Sequence, residues 1–144
     1  MFWRRGLREG GVPAPLPSND EPPIIVADDD RDVRMMLRTL LELDGHEVIE
    51  ARDGDEAWNL ILEMGPWVVV ADIQMPGLDG LQLCRKIRES NKLSKETKVI
   101  VYTAGMATPE DAKKAGCDEY FLKTDPLPKL REKVRQYMAS RAGA

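Results

Sequence analysis

The chain has 144 residues, enough for one ordinary domain core and too few for two. With 21 Lys and Arg against 25 Asp and Glu, its net charge is −4, which argues against the basic footprint of a nucleic-acid binder. It is 42% hydrophobic and 32% charged, ordinary globular material, and its longest apolar run, residues 67–71, is far too short for a membrane span.

Residues 1–22 read as a flexible N-terminal extension ahead of a domain over 23–142. Gly10, Gly11, Pro13, Pro15, Pro17 and Pro22 punctuate the segment, and no regular apolar period appears. It has no apolar stretch of the kind a secretory signal needs, so a cytoplasmic protein is expected. Phe2, Trp3, Arg4, Arg5, Leu7 and Arg8 near its start could dock on a partner, although a short terminal tail is usually disordered.

From residue 24 the pattern alternates. Ile24–Ala27 is a short apolar run without internal period, the signature of a buried parallel strand. A helix over about 31–44 follows, with Val33, Met36, Leu37, Leu40 and Leu41 on one face and Asp44-Gly45 as its stop. Residues 47–51 read as a second strand. Asp53 caps a helix that runs to about 64, with Ala57, Leu60, Ile61 and Met64 inward and Gly65-Pro66 at its end. Residues 67–71 form the third strand. A helix over about 79–90 carries Leu81, Cys84, Ile87 and Arg88 on one face. The fourth strand is 98–102. Thr108-Pro109-Glu110 is an N-cap with proline at the first helical position, and that helix ends at Gly116. The fifth strand is 118–122, and a last helix over about 127–140 points Leu127, Leu130, Val134, Tyr137 and Met138 inward. Five strands alternating with five helices make an α/β fold, a single domain with a parallel sheet covered by helices on both faces.

The chemistry-bearing residues collect at strand ends. Asp28 and Asp29 follow the first strand, Asp72 the third, Thr103 the fourth and Lys123 the fifth. Open parallel sheets bind ligands outside the carboxyl ends of their strands. Taken singly, an Asp or Thr in such a place is a turn or cap residue, and a Lys is solvated. If these strands are neighbours, three carboxylates, a hydroxyl and an ammonium meet at one edge. Two carboxylates about 4 Å apart repel by roughly 4 kcal/mol at an effective dielectric of 20, so the cluster calls for a cation. Mg²⁺ fits, because it takes one or two carboxylates plus waters and phosphate oxygens. An ionised Asp beside it is a competent nucleophile toward phosphorus, with Thr and Lys left to steady the phosphoryl oxygens.

Cys84 and Cys117 lack CxxC spacing and a partnering histidine, which argues against a disulfide framework or a zinc site and for reduced thiols. The single histidine, His46, stands away from the four strand ends and is assigned no role.

Four segments give the sequence a family resemblance. Ile-Val-Ala-Asp-Asp-Asp at 25–30, Ala-Asp-Ile-Gln-Met-Pro-Gly-Leu-Asp-Gly at 71–80, Tyr-Thr-Ala at 102–104 and Tyr-Phe-Leu-Lys at 120–123 resemble the receiver domain of two-component response regulators, the chemotaxis-type fold. The resemblance covers about residues 23–140 and implies a doubly wound (βα)5 domain with strand order 2-1-3-4-5. It implies Asp72 as phosphoacceptor, with Asp28, Asp29, Asp72 and the Gln74 backbone carbonyl around Mg²⁺. Thr103 and the Ala104 N–H would meet the phosphoryl group and Lys123 would pair with it. Thr103 and Tyr120 would form the conformational switch. Met75-Pro76-Gly77 fits a tight turn, and Asp79 with Gly80 the start of a helix.

Two departures from the family pattern bear on output. Thr124 stands after Lys123 where proline is usual, so a trans bond is expected there. The segment from Thr103 to Lys123 is short by roughly half a helical turn, which trims the fourth helix or its leading loop. Both fall on the face many receivers use for output, and both put the standard dimerisation mode in doubt.

The expected function is that of a stand-alone receiver, a monomer or weak dimer. It would take a phosphoryl group from a histidine kinase or phosphotransfer protein and switch its contacts with a downstream protein target, binding neither nucleic acid directly nor membrane. It would not be a turnover enzyme. The rivals are a phosphorylation-independent adaptor with the same fold and a Mg²⁺-dependent phosphohydrolase. Against the latter, the position two residues after the nucleophile is Gln74, with no general acid in view.

Overall fold

The computed structural model describes residues 21–93 and 96–142, so the expectations for residues 1–20 lie outside the described residues. Ten elements alternate: β1 (Ile24–Ala27), α1 (Arg31–Leu43), β2 (Val48–Ala51), α2 (Gly54–Met64), β3 (Val68–Ala71), α3 (Gly80–Glu89), β4 (Lys98–Thr103), α4 (Pro109–Ala115), β5 (Glu119–Leu122) and α5 (Leu127–Ala142). The strands form one parallel sheet in the order β2-β1-β3-β4-β5. Predicted and observed element ends differ by a residue or so, and β4 gains Thr103 as its last residue.

Period-2 alternation divides the strands between two cores. Ile25, Ala27, Ile49, Ala51, Val69, Ala71 and Val99 face Ala57 and Ile61 of α2 and Leu83, Cys84 and Ile87 of α3. Ile24, Val26, Val48, Val68, Val70, Ile100 and Tyr102 face Leu37 and Leu41 of α1 and Leu130, Val134 and Met138 of α5. α4 covers a smaller patch with Ala112 against Val101 and Ile73. Each fully buried aliphatic side chain stabilises the fold by about 1.5–3 kcal/mol. The three inner strands β1, β3 and β4 are therefore almost wholly apolar, while every residue of the edge strand β5 is half-buried.

The helices begin where short polar side chains can take up their free N–H groups. Asp30 accepts from the Asp32 and Val33 N–H groups, Asp53 from Glu56, Asp79 from Gln82 and Thr108 from Asp111. The last two are reciprocal capping boxes, because Gln82 and Asp111 bond back to the cap N–H. α4 has only seven residues, in line with the short 103–123 segment.

Two helix faces differ from the sequence reading. In α1 the buried stripe is Arg34, Leu37 and Leu41, with Val33 and Met36 at its margin. In α3, Leu83 is buried, a position the sequence reading left out, and Leu81 is only partly so.

Candidate functional site

Sheet register alone assembles the site. Ala27 of β1 is paired with Ala71 of β3, and the ladder runs one residue further, since the Asp72 N–H donates to the Ala27 carbonyl at 2.9 Å. Asp28 and Asp72 thus leave adjacent strands side by side. On the other flank Thr103 of β4 pairs with Leu122 of β5, and the Lys123 N–H donates to the Thr103 carbonyl at 2.7 Å. The four strand ends singled out from sequence are neighbours along one edge.

The Lys123 ammonium sits between two carboxylates, with Nζ 2.9 Å from Asp28 Oδ2 and 3.0 Å from Asp72 Oδ2. Asp28 is 1% exposed and Asp72 7%, whereas Asp29 is exposed. Asp28, Asp29 and Asp72 each offer a carboxylate oxygen within 4.8 Å of the others. Burial pushes the Asp28 carboxyl up from its ordinary value, and the charge of Asp72 adds to this; the Asp30 N–H and Lys123 oppose it. Burial pulls the Lys123 ammonium down, but its hydrogen bonds to Asp28 and Asp72 outweigh that and raise it. Two crowded carboxylates paired with one lysine, beside a third carboxylate open to solvent, form a hard-oxygen donor set that suits Mg²⁺.

Local structure fixes the acids. Asp28 Oδ1 accepts the Asp30 N–H at 2.9 Å, and Arg34 Nη1 donates to the Asp28 backbone carbonyl at 2.7 Å. Arg34 is itself buried, and its Nε donates to Glu50 of β2 at 3.1 Å. Sequence reasoning missed Arg34 because a charged residue on a helix reads as solvated. Its place one turn before Leu37, inside the apolar stripe, was the available signal.

The loop after β3 keeps its shape through glycines that approach backbone closely. A Cβ on Gly80 would collide with the Asp72 carbonyl, and Gly77 turns at φ +74°. Gln74 is exposed, and its N–H lies 3.4 Å from Asp72 Oδ1. Thr103 is fully buried, with the Gly105 N–H 3.5 Å from its Oγ1, and Ala104 beside it is exposed.

After Lys123 the chain makes a turn that no proline supports, and among the described residues no peptide bond is cis. Asp125 takes over the closure. Its carboxylate accepts the Leu122 N–H at 2.8 Å, and its own N–H donates to the Leu122 carbonyl at 2.9 Å. Asp125 thereby holds the loop carrying Lys123. Tyr120 lies on the α4 side of β5, packed by Ile73, Val101 and Ala112, and its hydroxyl donates to the Ala107 carbonyl of the β4–α4 loop.

Residues 24–135 match the family model of the response regulator receiver domain. Among curated proteins, Response regulator MprA of Mycobacterium sp. strain KMS is 40% identical over 114 residues, which is 78% of this chain and 48% of the relative. The chain thus spans about half the length of the curated relatives it matches. Among solved structures, the receiver domain of the Francisella response regulator 1452 superposes with a TM-score of 0.75 at 32% identity, covering 84% of this chain and 99% of that one. The response regulator TrrA of Thermotoga maritima, solved in complex with Mg²⁺ and BeF, gives 0.72 at 32% identity over 81% of this chain and 98% of that one.

Proposed function

Because this chain belongs to the response regulator receiver-domain family, we propose that Asp72 is its phosphoacceptor and that the domain switches protein–protein contacts when Asp72 is phosphorylated. The observation that carries this reading is the placement of Lys123 between Asp28 and Asp72, with Asp29 completing an oxygen cluster at the same strand ends. A histidine kinase or phosphotransfer protein is the donor, and Asp28, Asp29, Asp72 and the Gln74 carbonyl would hold Mg²⁺. When bound, the metal supplies charge neutralisation for the phosphoryl oxygens.

The remaining chemistry belongs to the chain. An Asp72 carboxylate oxygen attacks phosphorus, an O–P bond forms, and the bond from phosphorus to the donor nitrogen breaks, leaving an acyl phosphate. Lys123 exchanges its pairing with Asp72 for a phosphoryl oxygen. The Thr103 hydroxyl and the Ala104 N–H donate to the others. Drawing Thr103 toward the phosphate empties space beside β4, and Tyr120 moves into it by releasing Ala107. Such coupling between a site and a surface is typically worth 1–3 kcal/mol. The domain turns over its own phosphoryl group and no free substrate.

Incubation with Mg²⁺ and a small phosphodonor tests this. Intact mass should show one added phosphoryl that hydrolyses with time and is absent in Asp72→Asn. An unchanged mass with no response to Mg²⁺ would instead favour a constitutive adaptor, and sustained release of phosphate from a phosphoester would favour a hydrolase.

A further inference from the structure

Glu50 is the one charged residue of the edge strand β2. Alternation along the strand sets its direction: Ile49 and Ala51 pack with α2, and Val48 with α1, so Glu50 lies on the α1 face. Both of its carboxylate oxygens are used. Oε1 accepts from Arg34 Nε at 3.1 Å and Oε2 from Arg38 Nη1 at 3.3 Å. Arg38 Nε in turn donates to Glu42 at 3.1 Å, one turn along α1. The Arg34 side chain is 10% exposed and that of Glu50 21%, so this ion pair is largely shielded from water.

The chain of charges ends on the acid site. Arg34 Nη1 donates to the Asp28 carbonyl at 2.7 Å, and the Asp28 N–H donates to the Ala51 carbonyl at 3.1 Å. β2 therefore holds both backbone polar groups of Asp28, one directly and the other through Glu50 and Arg34. With its backbone fixed, Asp28 turns Oδ1 to the Asp30 N–H and Oδ2 to Lys123.

A shielded guanidinium beside an acidic cluster is also a rival for any cation that the cluster binds. Removing one partner of a buried ion pair leaves the other charge uncompensated. Without Glu50, the Arg34 guanidinium would be drawn to the carboxylate of Asp28, the residue that it already touches. With Glu50 in place it meets only the neutral carbonyl.

We propose that Glu50 is a positioning residue for the Mg²⁺ site: it anchors Arg34 on the Asp28 carbonyl and so keeps that cation off the carboxylates that would take the metal. The inference rests on the reading of Asp28, Asp29 and Asp72 as the metal-binding acids. Glu50 acts through Arg34, and Arg38 steadies it by occupying its second oxygen.

The test titrates the full chain with Mg²⁺ alone, without phosphodonor, and follows the amide resonances of Asp28, Asp29 and Gln74. Urea unfolding of each variant runs beside it. Glu50→Gln keeps the shape and removes the charge, and should weaken Mg²⁺ binding by about tenfold, the lower end for loss of an outer-shell partner. Arg34→Met should weaken it less. Adding Arg34→Met to Glu50→Gln should recover affinity, because the cation released onto the acids is gone. If Glu50→Gln does not fold, Glu50→Asp decides, since it keeps the charge but shortens the reach: affinity below wild type supports the proposal and wild-type affinity overturns it. A Glu50 that merely ties β2 to α1 would lower the urea midpoint and leave Mg²⁺ affinity unchanged. That result, or a double variant that binds no more tightly than Glu50→Gln, would overturn the proposal and leave the phosphoacceptor reading intact. A wild type that does not respond to Mg²⁺ would overturn the metal site itself, and this inference with it.

Discussion

On the β1/β3 side of the site, Asp28 and Asp72 emerge from strands that are fully buried. The Arg34 guanidinium, the Asp30 N–H and backbone bonds to Ala51 and Ala27 hold these acids in place. On the β4/β5 side, Tyr120 belongs to an edge strand that is half-buried throughout, Lys123 directly follows it, and a seven-residue helix lies next to it. There the Thr103 hydroxyl makes one long contact, to the Gly105 N–H, and Tyr120 holds the β4–α4 loop by a single hydroxyl. Metal ligands need fixed geometry, because a small displacement of a donor weakens the site. A switch needs two arrangements of similar energy, which a lightly packed edge provides. The same sheet thus pairs a deeply buried half, where the proposed chemistry sits, with a lightly packed half, where the proposed switch sits.

Substitutions can break this contrast from either side. The largest effect is expected for Lys123→Ala. Phosphorylation should slow by about 10²-fold, the typical cost of removing one group that stabilises transition-state charge. Mg²⁺ affinity should rise, because the ammonium no longer competes for Asp28 and Asp72. Phosphodonor kinetics and a metal titration check the two parts separately. Arg34→Ala should act on the deeply buried half. It removes a charged donor from the Asp28 carbonyl and should destabilise the domain by about 1.5–3 kcal/mol in urea unfolding. It should also weaken Mg²⁺ binding, whereas a residue with only a packing role would leave metal affinity alone.

Tyr120→Phe probes the lightly packed half. Losing one neutral hydrogen bond to Ala107 should cost about 0.5–1.5 kcal/mol in the same unfolding assay and leave the phosphorylation rate unchanged. The smallest shift is expected for Asp28→Asn in metal-free buffer at neutral pH, where the urea midpoint should rise. The Asp28 carboxyl is raised above its unfolded value by burial first and by Asp72 second. Folding therefore disfavours its charged form: the favourable contribution is present at acid pH and is lost as pH rises through the folded value. Added Mg²⁺ should stabilise the wild type and have little effect on this variant.

Much of this was legible in the sequence. The apolar runs gave all five strands, and Asp53 and Thr108 announced their helices as caps. The polar residue after four of the five runs located Asp28, Asp72, Thr103 and Lys123, since strand ends of a parallel sheet share an edge. What stayed hidden depends on tertiary contact. The burial of Arg34 follows from its carbonyl partner in the β1–α1 loop and from Glu50 on another strand, which no local period encodes. The closure of the Lys123 loop by Asp125 replaces a proline with a side-chain hydrogen bond, and composition shows only a charge. Strand order itself came by family resemblance, because alternation of strand and helix fixes a parallel sheet without fixing its sequence of neighbours.

The measurement that reaches the central claim most directly is chemical location of the phosphoryl group. Phosphorylated protein is treated with borohydride, which reduces an aspartyl phosphate to homoserine, and the peptides are sequenced by mass spectrometry. The expected result is homoserine at position 72, dependent on Mg²⁺, with Asp28 and Asp29 intact. Homoserine at Asp28 or Asp29, or at no position while phosphate is bound, would contradict the account.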